Sequence, residues 1–344
     1  MCASTCIFID GSKGEGGGQI LRSSLALSAI TGRPFRIENI RSERSKPGLM
    51  RQHLTAVNAA REVSGAKVRG AEIGSATLTF EPGPVAGGEY QFSVGTAGSA
   101  TLVAQTVLPA LMLASKPSHL VLEGGTHNPM SPPFEFFERV FLPHLRRMGV
   151  GVEATLHRPG FYPAGGGRFV LEITPAASLE PIEILERGEP KQHSAEAIVS
   201  NLPRDIAERE LGVVATRLGW SESQLSVCEE KRAAGPGNIL MLTLEFERLS
   251  NIVTGFGERG LSAQAVAKRA VEAATRYLKT PAAVGHHLAD QLLLLMAVAG
   301  SGRFTTLRPS LHTRSNVMVI RQFLPVDIGL NEIKKGLWKV TVGG

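Results

Sequence analysis

The chain has 344 residues, of which 43% are hydrophobic and 20% are charged, as is ordinary for a globular protein. Lys and Arg exceed Asp and Glu by 37 to 31, and this net charge of +6 fits a polyanionic partner without requiring one. No apolar stretch is long enough to cross a bilayer, no secretory signal is visible, and Cys2, Cys6 and Cys228 cannot form a disulfide framework. The composition therefore excludes a disulfide-rich secreted scaffold, and we expect a cytoplasmic protein without membrane partners.

The N-terminal segment predicts a strand, a glycine loop and a helix. The strand covers residues 6–10, the loop "GSKGEGGG" covers residues 11–18, and the helix covers residues 19–32. Apolar residues recur in the helix at a period of three to four, and Gly32 supplies its C-terminal stop.

This succession recurs twice more along the chain. An apolar helix follows a small-residue turn within residues 90–114 and again within residues 282–302. A second helix follows each copy, and these second helices are predicted within residues 48–66, 132–150 and 315–324. We therefore predict an α/β (α+β) protein with three divergent copies of a unit that contains two helices and several strands.

The third copy is interrupted by a segment with its own strand and helix pattern. Strands are predicted at residues 195–201, 224–230 and 238–247, and helices at residues 205–219 and 262–278. We predict a small inserted α/β domain at residues 187–279, and a large domain made of residues 1–186 and 280–344. Because the insert has no glycine-phosphate loop and no candidate nucleophile, we expect it to stand outside any nucleotide site.

The first glycine loop does not match either common nucleotide motif. Gln19 stands where a P-loop needs Lys-Ser/Thr and where a dinucleotide fingerprint needs its third glycine. A glycine turn that opens a helix can still bind an anion, and Glu15 could then hold a magnesium ion that is shared with phosphates. The alternative is an ordinary tight turn in which Glu15 is a solvated carboxylate.

Basic residues are concentrated between residues 41 and 53, and Arg22 follows the first glycine loop. The cluster contains Arg41, Arg44, Lys46, Arg51 and His53. Arginine forks suit bidentate contacts with phosphate, so the cluster predicts a phosphate-binding surface. A solvated basic face explains the same composition, and both interpretations stay open for Arg51 and Gln52.

Polar side chains also interrupt two strongly apolar helices. Asp290 and Gln291 stand near the start of the helix in residues 282–302, where Asp290 could cap the helix or contact a base or ribose. Gln105 lies among alanines and leucines in the matching helix of the second copy. A buried glutamine needs a hydrogen-bonding partner, which could be a ligand.

His312 is the candidate nucleophile. It stands at the entrance of a helix, where the helix dipole favours a neutral imidazole and an incoming phosphate. The chain has no hydrolase elbow, no H-E-x-x-H and no C-x-x-C that would offer another reactive centre. A solvated histidine at a helix entrance is the alternative.

Six stretches together carry a resemblance to a known family. They read "DGSKGEGGGQILRSSLALS", "KPGLMRQHLTAV", "FYPAGGGRF", "LPRDIAERE", "GHHLADQ" and "PSLHTRSN". In this order the sequence resembles the RNA 3'-terminal phosphate cyclase family over nearly its whole length. The resemblance implies a large domain of three βαβαββ-type units with a small inserted domain. It also implies ATP-dependent conversion of an RNA 3'-phosphate into a 2',3'-cyclic phosphodiester.

The resemblance also implies roles for individual residues. His312 matches the histidine that becomes adenylylated, and Glu15 matches an acidic position that contacts Mg²⁺ or Mn²⁺. The positions that match the family's ATP-binding residues are Gln105, His287, Leu288, Ala289, Asp290 and Gln291. The positions that match its RNA phosphate and active-site surface are Arg22, Arg41, Arg44, Arg51, Gln52 and His53. The sequence departs from the family at His287, where tyrosine is frequent, and at His127, where a small polar residue is commoner.

Two other functions remain as alternatives. A non-catalytic ribosome-assembly relative would share the fold, although a binding scaffold has no need of His312. An enolpyruvyl-transferase-like enzyme would share the repeated architecture and bind small anionic metabolites. The expected partners of a cyclase are ATP and an RNA with a 3'-phosphate end, and a homodimer stays open as an alternative to a monomer.

Overall fold

The computed structural model describes residues 6–343, so Cys2 lies outside the described part of the chain. Cys6 and Cys228 are free thiols. Among the described helices, none combines the length and the hydropathy that a transmembrane segment requires.

A mixed four-stranded sheet with two helices forms the N-terminal unit. Its elements are β1 (Ile7–Asp10), α1 (Gly18–Thr31), β2 (Phe35–Glu38), α2 (Arg51–Val63), β3 (Lys67–Arg69) and β4 (Leu78–Glu81). The strand order is β1-β2-β4-β3, with β1 parallel to β2 and the other pairs antiparallel. α1 ends at Gly32, whose φ of 67° is the left-handed conformation that favours glycine.

The second sheet has the same arrangement. Its elements are β5 (Glu89–Ser93), α3 (Ala100–Leu111), β6 (Ser118–Gly124), α4 (Phe134–Phe136), α5 (Leu142–Arg147), β7 (Gly151–Arg158) and β8 (Gly167–Thr174). A π-helical segment, Phe137–Phe141, joins α4 to α5. The order is β5-β6-β8-β7, again with one parallel pair followed by two antiparallel pairs.

The chain begins a third sheet with β9 (Ile182–Ile184) and then enters the insert. The insert contains β10 (Pro190–Ser200), α6 (Asp205–Leu218), a 3₁₀ turn (Glu222–Gln224), β11 (Leu225–Glu229), β12 (Gly237–Phe246), β13 (Ser250–Phe256) and α7 (Ala263–Leu278). Its strands have the order β11-β10-β12-β13. Arg187 joins the two chain segments that enter and leave the insert, since it donates to the carbonyl oxygens of Leu278 at 3.0 Å and Thr280 at 2.7 Å.

The third sheet is completed after the insert. Its remaining elements are α8 (His286–Ala299), β14 (Gly302–Thr306), α9 (Leu311–Phe323), β15 (Ile328–Lys334) and β16 (Leu337–Val342). The order β9-β14-β16-β15 has the same succession of one parallel and two antiparallel pairs as the first two sheets. The predicted α/β class is confirmed.

Two hydrophobic cores hold the sheets and helices together. The larger core joins the three related sheets to their helices, and the smaller core lies between the insert's sheet and its helices α6 and α7. β12 serves both cores because its side chains alternate between the two faces of the sheet. Leu240 and Leu242 belong to the smaller core, whereas Ile239 and Met241 belong to the larger one. The insert therefore packs firmly on the large domain.

Two differences from the sequence-based prediction bear on the site. β13 was not predicted, and it pairs antiparallel with β12 over Ser250–Phe256. α9 begins at Leu311, before the predicted start at residue 315, because the Ser310 hydroxyl accepts a hydrogen bond from the backbone N–H of Thr313 at 3.0 Å. His312 thus lies inside the first turn of the helix.

A buried carboxyl group in the insert leads to a prediction about stability. Glu210 on α6 is fully buried, and its Oε2 accepts a hydrogen bond from Asn238 Nδ2 at 3.0 Å. Burial raises its pKa from 4.5 to about 7, against the smaller lowering effects of Asn238 and Arg209. The unfolded chain ionises near 4.5, so Glu210's contribution is fully present below that pH and is lost as the pH rises through about 7.

We expect Glu210→Gln to raise the free energy of unfolding by about 3 kcal/mol above pH ~8, and to change it little near pH ~5. The glutamine keeps an acceptor for Asn238 Nδ2 and has no charge to bury. Urea unfolding followed by circular dichroism at both pH values measures the difference. Glu208→Gln on the exposed face of α6 is the control, and equal stability of wild type and Glu210→Gln at high pH would contradict the prediction.

Candidate active site

A cavity of about 450 Å³ lies between α1, α3 and α8, which are the first helices of the three related sheets. α1 lines it with Gln19, Arg22, Ser23 and Ala26, a spacing that puts all four on one helix face. α8 lines it with His287, Asp290, Gln291, Leu294 and Leu295. The cavity is therefore polar where α1 and α8 begin and apolar farther along both helices.

The inserted domain forms one wall of this cavity. Ile252, Thr254 and Phe256 line it, and they are alternate residues of β13 that share one face of the strand. The expectation that the insert stands outside the site is therefore wrong. β13 is an edge strand of the insert's sheet, and the packing of that sheet on the large domain brings its side chains to the cavity.

His312 lies in the cavity lining at the N-terminal turn of α9. Its side chain is half exposed, and its Nδ1 lies 3.8 Å from Oε2 of Glu15. The ring is thus open to a ligand on one side and faces a carboxylate on the other. The N-terminus of this helix favours a negatively charged group beside the ring.

Glu15 is held by several contacts although it lies in a glycine loop. Its side chain is only 4% exposed, with Oε2 accepting from Arg44 Nη2 at 2.6 Å and Oε1 accepting from the backbone N–H of Gln19 at 3.1 Å. Its own backbone N–H donates to the Ser315 hydroxyl at 2.9 Å. The interpretation of Glu15 as a solvated loop carboxylate is therefore wrong.

The neighbouring Gly14 allows this close docking of the loop on α9. Its φ is +68°, and a methyl group there would lie 2.2 Å from Ser315 Oγ. A residue with a side chain would push the glycine loop away from the helix that carries His312.

Asp290 fastens α9 to α8 and does not cap its own helix. α8 has no side-chain cap, whereas Asp290 Oδ1 accepts hydrogen bonds from the hydroxyls of Ser310, at 3.0 Å, and Thr313. Burial raises the pKa of Asp290 to about 6, although both hydroxyls favour its ionised form. The capping role considered from the sequence is wrong, since the carboxylate points at the start of the neighbouring helix.

Three polar residues of α1 and α9 complete this link. Asn316 Oδ1 accepts from the Ser23 hydroxyl at 2.7 Å and from Gln19 Nε2 at 3.2 Å. Asn316 Nδ2 donates to the backbone oxygen of Asp290 at 2.8 Å. These contacts join α1, α8 and α9, so the positions of His312 and Arg22 are set by one hydrogen-bonded network.

Arg22 presents a positive charge to the cavity. Its Nη2 donates to Gln19 Oε1 at 2.7 Å, and among residues 6–343 it forms no ion pair with a carboxylate. Burial lowers the pKa of Arg22 to about 10, while Glu15 opposes that shift. The guanidinium therefore stays charged at neutral pH, and a bound anion can neutralise it.

His53 is a buried neutral ring beside Arg22. Burial, with Arg22 and Arg41 nearby, lowers its pKa to about 3, and its Nδ1 accepts from the backbone N–H of Met50 at 3.2 Å. A methyl group on Gly18 would lie 2.4 Å from His53 Nε2. The close approach of α1 and α2 at this point therefore depends on glycine.

The other members of the basic cluster have different partners. Arg41 donates to the backbone oxygens of Lys46 at 2.6 Å and Gly48 at 2.9 Å, and so holds its own loop. Gln52 accepts from the backbone N–H of Ser99 at 2.7 Å, just before α3. Arg51 is exposed, and its side chain makes no hydrogen bond or ion pair within the described chain.

The part of the cavity beside Gln105 and Gln291, here called its far part, contains unpaired polar atoms among apolar ones. Gln105 Nε2 and Gln291 Oε1 are buried without a hydrogen-bonding partner in the described part of the chain. Pro109 lies four residues after Gln105 in α3 and cannot donate to its carbonyl oxygen. Buried polar atoms normally have partners, so a ligand with both donors and acceptors fits this end.

An aromatic contact also contributes to the cavity lining. The rings of His287 and Phe136 meet edge to face, with centroids 6.0 Å apart, and both residues line the cavity. An aromatic ring in the lining offers an apolar surface to a planar ligand group.

A sequence profile of the RNA 3'-terminal phosphate cyclase family matches residues 13–330. The chain belongs to this family. Among its curated relatives are three proteins named RNA 3'-terminal phosphate cyclase. The one from Koribacter versatilis is 54% identical, over 95% of this chain and 92% of the relative. The one from Ralstonia nicotianae is 53% identical, over 94% and 93%, and the one from Ectopseudomonas mendocina is 49% identical, over 97% and 98%.

The cyclase-family residues expected from the sequence divide into two groups. The cavity lining includes Arg22, Gln105, His287, Asp290, Gln291 and His312. Leu288 and Ala289 do not line the cavity, since each is 1% exposed and belongs to the core beneath α8. The other residues outside the lining are Glu15, Arg41, Arg44, Arg51, Gln52 and His53.

Several polar residues of the candidate site were not identified from the sequence. Gln19 was considered only as a mismatch to nucleotide motifs, and Ser23 and Asn316 were not considered at all. A signal was present, because polar side chains that recur on one face of an apolar helix need partners. The wall residues of β13 gave no such signal, since apolar residues in a strand are typical of any core.

Proposed function

We propose that this protein converts the 3'-terminal phosphate of an RNA into a 2',3'-cyclic phosphodiester at the expense of ATP. The observation that carries this proposal is the position of His312, half exposed in the lining of a cavity that also contains the positively charged Arg22. The relatives named RNA 3'-terminal phosphate cyclase support the same reaction. Their sequences are 49% to 54% identical to this chain over nearly its whole length.

His312 acts as the nucleophile in the first step. Because Nδ1 faces Glu15, the carboxylate favours the tautomer that keeps its proton on Nδ1 and leaves the lone pair of Nε2 for attack. A bond forms between Nε2 and the α-phosphorus of ATP, and the bond to the pyrophosphate oxygen breaks. Arg22 and the N-terminal turn of α9 stabilise the negative charge that develops on the phosphates.

The second and third steps use the RNA end. An oxygen of the RNA 3'-phosphate attacks the phosphorus of the histidine-bound AMP, and the N–P bond breaks to return a neutral His312. The neighbouring 2'-OH then attacks the activated 3'-phosphorus and AMP leaves. This last attack is intramolecular, so correct positioning of the terminal ribose supplies much of its rate. Its need for a 2'-OH favours RNA over DNA.

The ATP base occupies the far part of the cavity in this proposal. Gln105 and Gln291 supply a donor and an acceptor for the base edge, and His287 with Phe136 supplies the aromatic wall. Ile252, Thr254 and Phe256 of β13 form the adjoining wall, beside the segment that carries Phe136. The exposed Arg51 and the loop of Arg41 and Arg44 then face the RNA phosphate.

Glu15 is the residue that would hold a divalent ion. Within residues 6–343 no group of three or more His, Cys, Asp and Glu side chains could bind a metal by itself. Magnesium that is carried by phosphates needs only one or two protein carboxylates, and Glu15 fits that requirement if the ion replaces Arg44 at Oε2. A bound ion would neutralise phosphate charge beside His312.

The domain arrangement and the compartment complete the proposal. Residues 1–186 and 280–344 form the catalytic large domain, and residues 187–279 form the insert that closes the cavity. The free thiols of Cys6 and Cys228 fit the reducing cytoplasm.

The proposed reaction is tested with a short RNA that carries a labelled 3'-phosphate. With ATP and magnesium, we expect the label to become resistant to phosphatase and the end to become a 2',3'-cyclic phosphate. The matched RNA with a 2'-deoxy terminal nucleotide should stop at the adenylylated 3'-phosphate, because the acceptor hydroxyl is missing. A 3'-phosphate that stays phosphatase-sensitive with ATP present would reject the proposal. An enolpyruvyl-transferase-like enzyme would give that result.

A further inference from the structure

The glycine-rich stretch "FYPAGGG", residues 161–167, lies outside the cavity but contacts the inserted domain. Phe161 is 3% exposed, and Gly237 at the start of β12 lies directly against its ring. A methyl group on Gly237 would lie 2.0 Å from Phe161 Cγ and 2.4 Å from Cδ1. The ring therefore occupies the space that any side chain at residue 237 would need.

Small residues extend this contact along the stretch. A methyl group on Gly235 would lie 2.5 Å from the Ala164 Cβ, and one on Gly166 would lie 3.2 Å from the Ala234 Cβ. Gly166 also has a φ of +72°, which favours glycine. The stretch thus docks on the segment that leads into β12 with almost no space between the two.

β12, the strand that docks against Phe161, is hydrogen-bonded to β13, which forms a wall of the cavity. In the β12–β13 register, Ile239 pairs with Phe256, Met241 with Thr254, and Thr243 with Ile252. The paired residues of β13 are the three that line the cavity. A shift of β12 away from Phe161 would therefore move that wall.

Phe161 is also linked to the wall segment that carries Phe136, which lies beside β13. Its ring packs on His127 with centroids 5.0 Å apart, and His127 Nε2 lies 2.9 Å from Glu135 Oε2. Burial alone would raise the pKa of Glu135, but the charge and hydrogen bond of His127 lower it, so this carboxyl group is ionised at neutral pH. Glu135 precedes Phe136, which lines the cavity and meets His287.

We propose that Phe161 is a positioning residue that, together with Gly237, sets the distance between the insert wall and the Phe136 wall of the nucleotide cavity. The stretch 161–167 is accordingly the docking point that holds the inserted domain in register with the site. This inference rests on the proposed function only in taking ATP as the ligand. Phe161 itself does not touch the nucleotide.

The proposal predicts a particular pattern of binding defects. Gly237→Ala creates an overlap that the buried ring cannot avoid, so β12 shifts and ATP binding weakens about tenfold. Phe161→Ala removes Cγ together with the ring, leaves a gap and also weakens binding, by about threefold. The double variant removes the overlap with the smaller side chain and binds ATP better than Gly237→Ala alone, which is a positive coupling between neighbours.

Calorimetry measures ATP binding in a His312→Asn background, where no covalent step interferes. In the His312 protein, the ATP dependence of AMP labelling separates KM from the rate at saturating ATP. The expected change lies in KM, with the saturated rate within about threefold of wild type, because the reacting groups are untouched. Gly212→Ala on α6 is the matched control, since a methyl group there meets no atom within 4 Å.

The proposal is supported if the double variant binds ATP more tightly than Gly237→Ala and if Gly212→Ala binds ATP as tightly as wild type. Unchanged ATP affinity in Gly237→Ala overturns it, and so does a double variant whose defects simply add. If Gly237→Ala does not fold, Phe161→Ala alone decides, because unchanged ATP affinity in that variant also contradicts the proposal. A protein that binds ATP in this pattern without forming an AMP adduct would contradict the proposed function and leave the positioning role intact.

Discussion

His312→Asn is expected to abolish the covalent protein–AMP adduct. Loss of an attacking nucleophile removes the reaction path itself, so labelling should fall by at least about a thousandfold. Among the residues that line the cavity, His312 is the one at the N-terminal turn of α9, where an incoming phosphate is favoured, and its Nδ1 lies 3.8 Å from Glu15 Oε2. The measurement is transfer of label from the α-phosphate of ATP to protein on a denaturing gel, with magnesium present.

His53→Asn is the matched control for this experiment. His53 is buried, its pKa is lowered to about 3, and it does not line the cavity, so its ring is available neither as a nucleophile nor as an acid near pH 7. This variant should keep part of the labelling. Equal labelling of wild type and His312→Asn would mean that another residue carries AMP.

The second large effect is expected for Arg22→Met, which should slow adduct formation by about a hundredfold. The guanidinium faces the cavity and hydrogen-bonds only to Gln19, so its charge is available for the phosphates of ATP. Methionine keeps much of the packing volume and removes the charge. Single-turnover labelling at saturating ATP measures the rate, and circular dichroism checks the fold.

Arg51→Ala provides the contrast, because Arg51 is exposed and lies outside the cavity. It should leave adduct formation within about twofold of wild type and slow cyclisation of a 3'-phosphate RNA about tenfold. Arg44 should affect both steps, since it contacts Glu15 beside His312. If Arg22→Met labelled as fast as wild type, Arg22 would belong to the RNA side of the site.

Local sequence was sufficient to predict most helices and strands. The helix in residues 19–32 followed from apolar periodicity and Gly32, and the structure has α1 at Gly18–Thr31. β13 was missed because a short apolar strand in an irregular segment has no distinctive period. The start of α9 was misplaced because one hydroxyl, that of Ser310, extends the helix toward its N-terminus.

The sequence could nominate site residues but could not assign their contacts. It did not distinguish Arg22, which faces the cavity, from Arg41, which binds backbone oxygens of its own loop. Nor did it show that Asp290 reaches the start of α9 while Leu288 and Ala289 turn into the core. Residues adjacent in a helix point in different directions, so a contiguous motif cannot all face one ligand.

The sequence by itself determined the family, the candidate nucleophile His312 and the α/β class, because each of these depends on residue identity and short-range periodicity. Tertiary structure alone decided which side chains surround that nucleophile. Glu15 meets Ser315 across 300 positions of the chain, and the β13 wall comes from a domain inserted between β9 and α8. Such contacts depend on how helices and sheets pack, and long-range packing leaves no local pattern in the amino-acid sequence.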